Sequence, residues 1–228
     1  MWTLPEFADR SDAGRRLAAA LERFRGQHAL VLALPRGGVP VAYEVARALD
    51  AELDVLIVRK IGAPGHQELG IGAVVDGAGA EMVINPTIAE LAGATRDYIE
   101  RERTRQLVEI ARRKRAYRGD RPDPQVTGRT VIVVDDGIAT GGTMKAALKA
   151  LRGRGPAWLV MAVPVAPSDS LADLTTECDE VVCLEQPPWF QAVGAHYADF
   201  RQTEDEEVVH LLARAGEVHS TAASGSAS

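Results

Sequence analysis

Five short apolar runs, none of which alternates apolar with polar residues, constrain this chain more than any other feature. They lie at residues 29–34, 53–58, 130–135, 158–164 and 180–184. A strand with one wet face alternates. A run that stays apolar is buried on both faces, as in a parallel sheet covered by helices. Helical periodicity follows at residues 39–49, 143–152 and 168–176. Alternating β and α segments predict a doubly wound α/β fold around a mainly parallel five-stranded sheet. A chain of 228 residues suffices for one such domain with a full core.

Between the second and third runs the pattern changes. Gly62-Ala-Pro-Gly65 opens a loop, and residues 71–75 and 81–84 flank Asp76-Gly-Ala-Gly79, which reads as a β-hairpin with a Gly-rich turn. Asn85-Pro86 starts a short helix. Tyr98, Ile99, Leu107, Ile110 and Ala111 then give a long helix, from about residue 95 to 116, one buried face. That helix is basic, with nine Lys/Arg against four Asp/Glu from Arg96 to Arg118. Its charges fit either a solvated face laced with i,i+4 ion pairs or a surface that meets phosphate or RNA. From Glu217 onward Ser, Ala and Gly dominate, so residues 216–228 are expected to be a disordered tail behind a domain of residues 1–215.

The net charge of -6 argues against generic nucleic-acid binding by the whole surface. Cys178 and Cys183 have no second Cys pair and no His cluster near them, so two buried, reduced thiols are expected rather than a zinc site. The N-terminus lacks the basic and apolar regions of a signal peptide. The longest apolar run, residues 157–166, is about half a membrane span. A cytoplasmic protein with no membrane segment is expected.

The chemistry concentrates at the end of the third run. Val131 to Val134 lead into Asp135, Asp136, Gly137, Ile138, Ala139, Thr140, Gly141, Gly142 and Thr143. A parallel strand delivers its C-terminal end to the crevice where α/β ligands bind. Adjacent carboxylates where the chain turns can both reach that crevice and accept from a vicinal diol. The glycines let backbone N–H groups converge on an anion, Thr140 and Thr143 add hydroxyls, and the following helix points its N-terminus at the same spot. Diol and phosphate sites a few residues apart suit ribose 5-phosphate. A Walker A loop is excluded, because Thr143 and Met144 follow Gly142 and Lys145 comes too late. A dinucleotide fingerprint is excluded because the first turn reads Leu34-Pro-Arg-Gly-Gly-Val-Pro40.

This segment resembles the phosphoribosyl-pyrophosphate (PRPP) signature of the type I phosphoribosyltransferases, and the resemblance extends to about Ala215. It implies an enzyme that binds PRPP with magnesium, the cation held mainly through PRPP oxygens, and displaces pyrophosphate by a nucleobase-like acceptor. It implies that Asp135 and Asp136 hold the ribose hydroxyls and that Ala139, Thr140, Gly141, Gly142 and Thr143 wrap the 5-phosphate. Arg36, Gly37 and Gly38 resemble the family's pyrophosphate loop, where a strained or cis peptide is usual. Arg59 and Lys60, expected at the end of the second parallel strand, would reach the same group. Residues 61–84 resemble a mobile flap; Lys60, at its edge, and His66, within it, are the catalytic candidates. Residues from about 185 to 203 resemble a hood over the acceptor, with Trp189, Phe190 and Tyr197 able to stack on a planar ring. Ala139 stands where enzymes for 6-oxopurines commonly carry Asp, which argues against hypoxanthine or guanine. Gly137 replaces a more usual apolar residue with no evident consequence. A homodimer is implied by the resemblance alone. The rival reading is a PRPP- or nucleotide-sensing regulator that grips RNA or DNA through residues 96–118.

Overall fold

The computed structural model describes residues 5–77 and 81–225. Strands β1 (Leu30–Ala33), β2 (Glu52–Val55), β6 (Thr130–Val134), β7 (Trp158–Val165) and β8 (Glu180–Glu185) form one five-stranded sheet in the order β2-β1-β6-β7-β8. Every neighbouring pair in it is parallel. Helices cover both faces, as continuous apolar runs require. Val31, Ala33, Ile132 and Val134 face a layer built from α1 (Arg10–Ala20), α2 (Gly38–Leu49), α4 (Arg96–Arg118) and α7 (Asp205–Gly225). Leu30, Leu32, Val131 and Val133 face α5 (Gly142–Gly153) and α6 (Ser168–Leu174). Adjacent residues on one strand thus enter opposite cores.

A second, antiparallel sheet, in the order β3-β4-β5, is made of β3 (Val58–Ala63), β4 (His66–Val75) and β5 (Glu81–Ile84). The expected hairpin of residues 71–75 and 81–84 is present. Residues 78–80 of its turn lie outside the described residues. A further hairpin, β3–β4, precedes it. The apolar run at 53–58 is not one strand: the Leu56 N–H still donates to the Ala33 carbonyl at 2.9 Å, whereas Val58 already pairs with Val75. Leu56 and Ile57, both buried, form the joint between the two sheets. α3 (Pro86–Leu91) begins where expected, with the Asn85 side chain accepting from the Ile88 N–H.

Two helices frame the domain beyond those the sequence pattern announces. α1 is capped by Asp9, which accepts from the Asp12 N–H, and it buries Leu17. α7 starts with Asp205, Glu206 and Glu207, acids placed favourably at a helix N-terminus. Residues 216–225 of the expected tail lie in this helix. The helix continues through Gly225, because Val208 and Leu212 anchor its start in the core and a helix once nucleated propagates one residue at a time. Residues 226–228 lie outside the described residues. Cys178 is buried, Cys183 half-buried, and both are free; burial pushes each thiol up to about 11. Among the described residues no helix is long and apolar enough to cross a membrane.

Candidate active site

β6 is the middle strand of the parallel sheet, and it ends at Val134. The chain turns there and carries Asp135 and Asp136 to the C-terminal edge. The loop after the neighbouring strand β1 comes up against them. The Leu34 N–H donates to the Val134 carbonyl at 2.9 Å. Gly38 packs on the backbone of Val134 and Asp135, and Gly37 packs on the Asp136 carboxylate. The structure therefore brings Gly37, Gly38, Asp135 and Asp136 into one cleft. The peptide between Pro35 and Arg36 is cis.

The acid pair is held on three sides. The Asp136 N–H donates to Asp135 Oδ1 at 2.9 Å. Arg10 Nε donates to Asp136 Oδ2 at 2.8 Å, with side chains only 12% and 14% exposed. The Tyr197 hydroxyl donates to the Asp136 carbonyl at 2.6 Å. Burial raises the Asp135 carboxyl well above its ordinary range, and the Asp136 charge adds to the effect. Asp136 is raised as well, by burial, with Arg10 opposing. The same site drives the Tyr197 phenol upward, through burial and then the Asp136 charge.

The loop from Ala139 to Thr143 ends on the N-terminus of α5. No side chain caps that helix, and no acid stands in its first turn. Its N-cap is Gly141 at φ 74°, a left-handed conformation that favours glycine. The Lys145 N–H donates to the Gly141 carbonyl at 2.8 Å, and the amides ahead of it, as at any helix start, lack an intrahelical partner. Ala139, Thr140, Gly142 and Thr143 are exposed, and a β-carbon on Gly142 would meet nothing within 4 Å. Packing therefore does not demand glycine at 142. Ser170 Oγ donates to the Ala139 carbonyl at 2.8 Å and pins the loop from the side. Gly137 does have a consequence: a β-carbon on it would lie 2.6 Å from Val193, so the turn is fitted against the hood.

Other candidates lie elsewhere. Arg36 points at the start of α7, where its NH1 is 3.4 Å from Glu204 and 3.7 Å from Asp205. Arg59 and Lys60 do not end a parallel strand; they sit on β3, because the chain leaves the parallel sheet after Val55. Arg59 Nε donates to Gln106 of α4 at 3.1 Å, and burial, with Arg113 nearby, lowers its pKa. Lys60 is exposed, as is His66 at the start of β4. In the hood, Trp189 is 88% exposed and Phe190 stacks on His196 at 5.6 Å. Tyr197 is not an open stacking surface. It is buried, with Phe7 at 5.3 Å and Phe200 at 5.0 Å, because Phe7 and Tyr197 bridge as a short parallel pair.

One residue and one contact of the site escape sequence reasoning. Arg10 sits on α1, which the strand and helix patterns leave out, although Asp9 and Asp12 ahead of Ala13, Leu17 and Leu21 are a helix-start signal. The bond from Tyr197 to Asp136 has no local signal, since the two are 61 residues apart. Many cations of the basic helix, meanwhile, are paired with acids on the helix or beside it. Arg112 and Arg113 pair with Glu109, which they hold down at about 2, and Arg103 pairs with Glu100. Arg118 is buried against Asp54, Asp76 and Asp123.

The domain is thus a parallel α/β sheet whose middle strand ends in an acid pair followed by an uncapped helix start. Residues 8–201 match the family model described as "Phosphoribosyl transferase domain". The chain belongs to that family. It is 48% identical over 212 residues to Mycobacterium tuberculosis proteins named "Putative phosphoribosyl transferase", a match covering 92% of this chain and 47% of theirs. The chain thus spans about half the length of the curated relatives it matches. A ribose-phosphate pyrophosphokinase of Methanopyrus kandleri is 32% identical over 151 residues, covering 55% of this chain and 49% of that one. Among solved structures, TT1426 from Thermus thermophilus superposes with a TM-score of 0.80 at 46% identity, covering 92% of this chain and 98% of that one.

Proposed function

We propose that this chain is a phosphoribosyltransferase that takes a 5-phosphoribosyl group from PRPP and passes it to a nucleobase-like acceptor, releasing pyrophosphate. The observation that carries this reading is the convergence of the Asp135–Asp136 pair with the uncapped start of α5 at the end of one strand. Diol acceptors and anion donors then lie a few residues apart on one loop, an order that suits ribose 5-phosphate. In this reading Asp135 and Asp136 take the ribose hydroxyls, and Ala139, Thr140, Gly141, Gly142 and Thr143 wrap the 5-phosphate.

Gly37 and Gly38 offer backbone N–H groups to the pyrophosphate. Arg36 exchanges Glu204 for it, and Arg59 and Lys60 of β3 add charge when the flap closes. His66, exposed on the flap, donates to the leaving group. The transition state resembles an oxocarbenium ion, so catalysis consists of holding the ribose, neutralising the leaving pyrophosphate and excluding water. The donors of the cleft are oxygens, which suits magnesium. That ion would be held mainly through PRPP's own oxygens and supplies positive charge against the pyrophosphate.

Ala139 presents no carboxylate to an acceptor, so hypoxanthine and guanine are disfavoured. Trp189 is the hood aromatic left open for stacking. The pairing within α4 speaks against the rival regulator that would grip RNA or DNA through this helix. The test is pyrophosphate release from PRPP and magnesium across a panel of bases. Release with one base is expected. Tight PRPP binding with no release from any base would replace the transferase with a PRPP sensor.

A further inference from the structure

We infer that Arg10 is a positioning residue that fixes the Asp136 carboxylate for the ribose hydroxyls, an inference that rests on reading the cleft as a PRPP site. The guanidinium is restrained from three directions. Nε donates to Asp136 Oδ2 at 2.8 Å, NH1 donates to the Arg201 carbonyl at 2.6 Å, and the guanidinium carbon lies 3.9 Å from the centre of the Phe200 ring. A planar fork held at two nitrogens and one face cannot swing away, as an ammonium could. Oδ2 is thereby taken, leaving Oδ1 as the oxygen that Arg10 does not hold.

Helix stability does not explain this arginine. Arg10 is the first residue of α1, where a cation opposes the helix dipole. Asp9 and Asp12 already supply the cap and the acid of the first turn. The pair is also largely shielded from water, where an ion pair counts for more than on the surface. The groups facing Asp136 are few. Asp135 comes from its own loop, Arg10 from α1 and the Tyr197 phenol from the hood, while the α2 side presents Gly37. Asp199 lies within electrostatic reach of Arg10. Arg10 is the cation acting on both carboxylates, and it opposes the burial and mutual repulsion that disfavour two adjacent charges.

The experiment uses the full chain with Arg10→Met and Arg10→Lys. PRPP affinity with magnesium is measured by calorimetry from about pH 6 to pH 9, and Asp136 is titrated by carboxyl-carbon NMR without ligand. Arg10→Met is expected to weaken PRPP binding at neutral pH about tenfold, the scale of one charge-assisted hydrogen bond. Part of that loss should return as pH rises, and Asp136 should titrate at higher pH than in the wild type. Arg10→Lys should keep the titration near that of the wild type yet bind several-fold more weakly, since one ammonium cannot span Asp136 and Arg201. Arg10→Met with wild-type affinity, pH profile and titration would overturn the inference. If Arg10→Met does not fold, Arg10→Lys decides: wild-type affinity overturns, weakened affinity upholds. If the wild type binds no PRPP, the proposed function fails, and the Asp136 titration alone then decides for or against Arg10.

Discussion

A β-carbon on Gly37 would fall 2.0 Å from Oδ2 of Asp136. The Gly37 backbone is helical, with φ -59° and ψ -33°, so the position needs glycine for room and not for conformation. The loop after β1 and the acid pair after β6 share one contact surface. Gly37→Ala should therefore force the loops apart, destabilising the fold by about 1–3 kcal/mol and abolishing PRPP binding. Urea denaturation and calorimetry check this. An alanine variant that binds as tightly as the wild type would mean the loops separate without consequence.

Asp135 opposes the fold when charged. Its carboxyl is raised first by burial and then by Asp136, so the native state prefers it neutral. That stability is fully present below the unfolded carboxylate value of about 4 and is lost as pH rises through the raised native value. Asp135→Asn removes the charge. It should raise Tm at neutral pH by about 2–4 °C while weakening PRPP binding. The gain should shrink in melts near pH 4, where the wild-type group is already protonated. A lower Tm at neutral pH would contradict the electrostatic account.

Tyr197 ties residues 185–203 to the acid pair through one hydroxyl. Tyr197→Phe keeps the ring among Phe7 and Phe200 and deletes the 2.6 Å bond to the Asp136 carbonyl. A stability loss of about 1–3 kcal/mol is expected if that carbonyl stays dry, together with weaker PRPP binding. Equal denaturation midpoints for the two proteins would show that water replaces the hydroxyl.

Arg118 is the hub of a buried ionic cluster. Its side chain is 3% exposed, with Nε 2.8 Å from Asp54 Oδ1 and NH1 3.2 Å from Asp76 Oδ2. Arg118→Met leaves Asp76 and Asp123 with Lys114 as the neighbouring cation and Asp54 with Arg121. Removing one partner of such a cluster should destabilise by about 3–5 kcal/mol, read as a lower urea midpoint. A variant of unchanged stability would show that the aspartates take up protons or water freely.

The parallel sheet is legible in the sequence because strands buried on both faces must be apolar throughout, and β1, β6 and β7 obey this. The loop at Asp135 to Thr143 is legible because acids, glycines and threonines at a strand end have few other uses. The same apolar rule misleads at residues 53–58, where a buried joint looks like a continuing strand. Arg59 and Lys60 belong to β3 for that reason, and not to the end of a parallel strand. Tyr197 is ambiguous in sequence because an aromatic that packs and one that stacks on a ligand look identical until its neighbour, Phe7, is known. Arg10 depends on a contact 126 residues away, which no local pattern announces.

That separation has a consequence for how the chain comes of age. The acid-pair site draws on Arg10 near one end of the domain and on Tyr197 and Arg201 near the other. A ribosome must release nearly the entire domain before Asp136 acquires its partners. The last strand of the sheet ends at Glu185, ahead of Tyr197 and Arg201, so the acid pair gains its final partners only after the sheet's own sequence is complete.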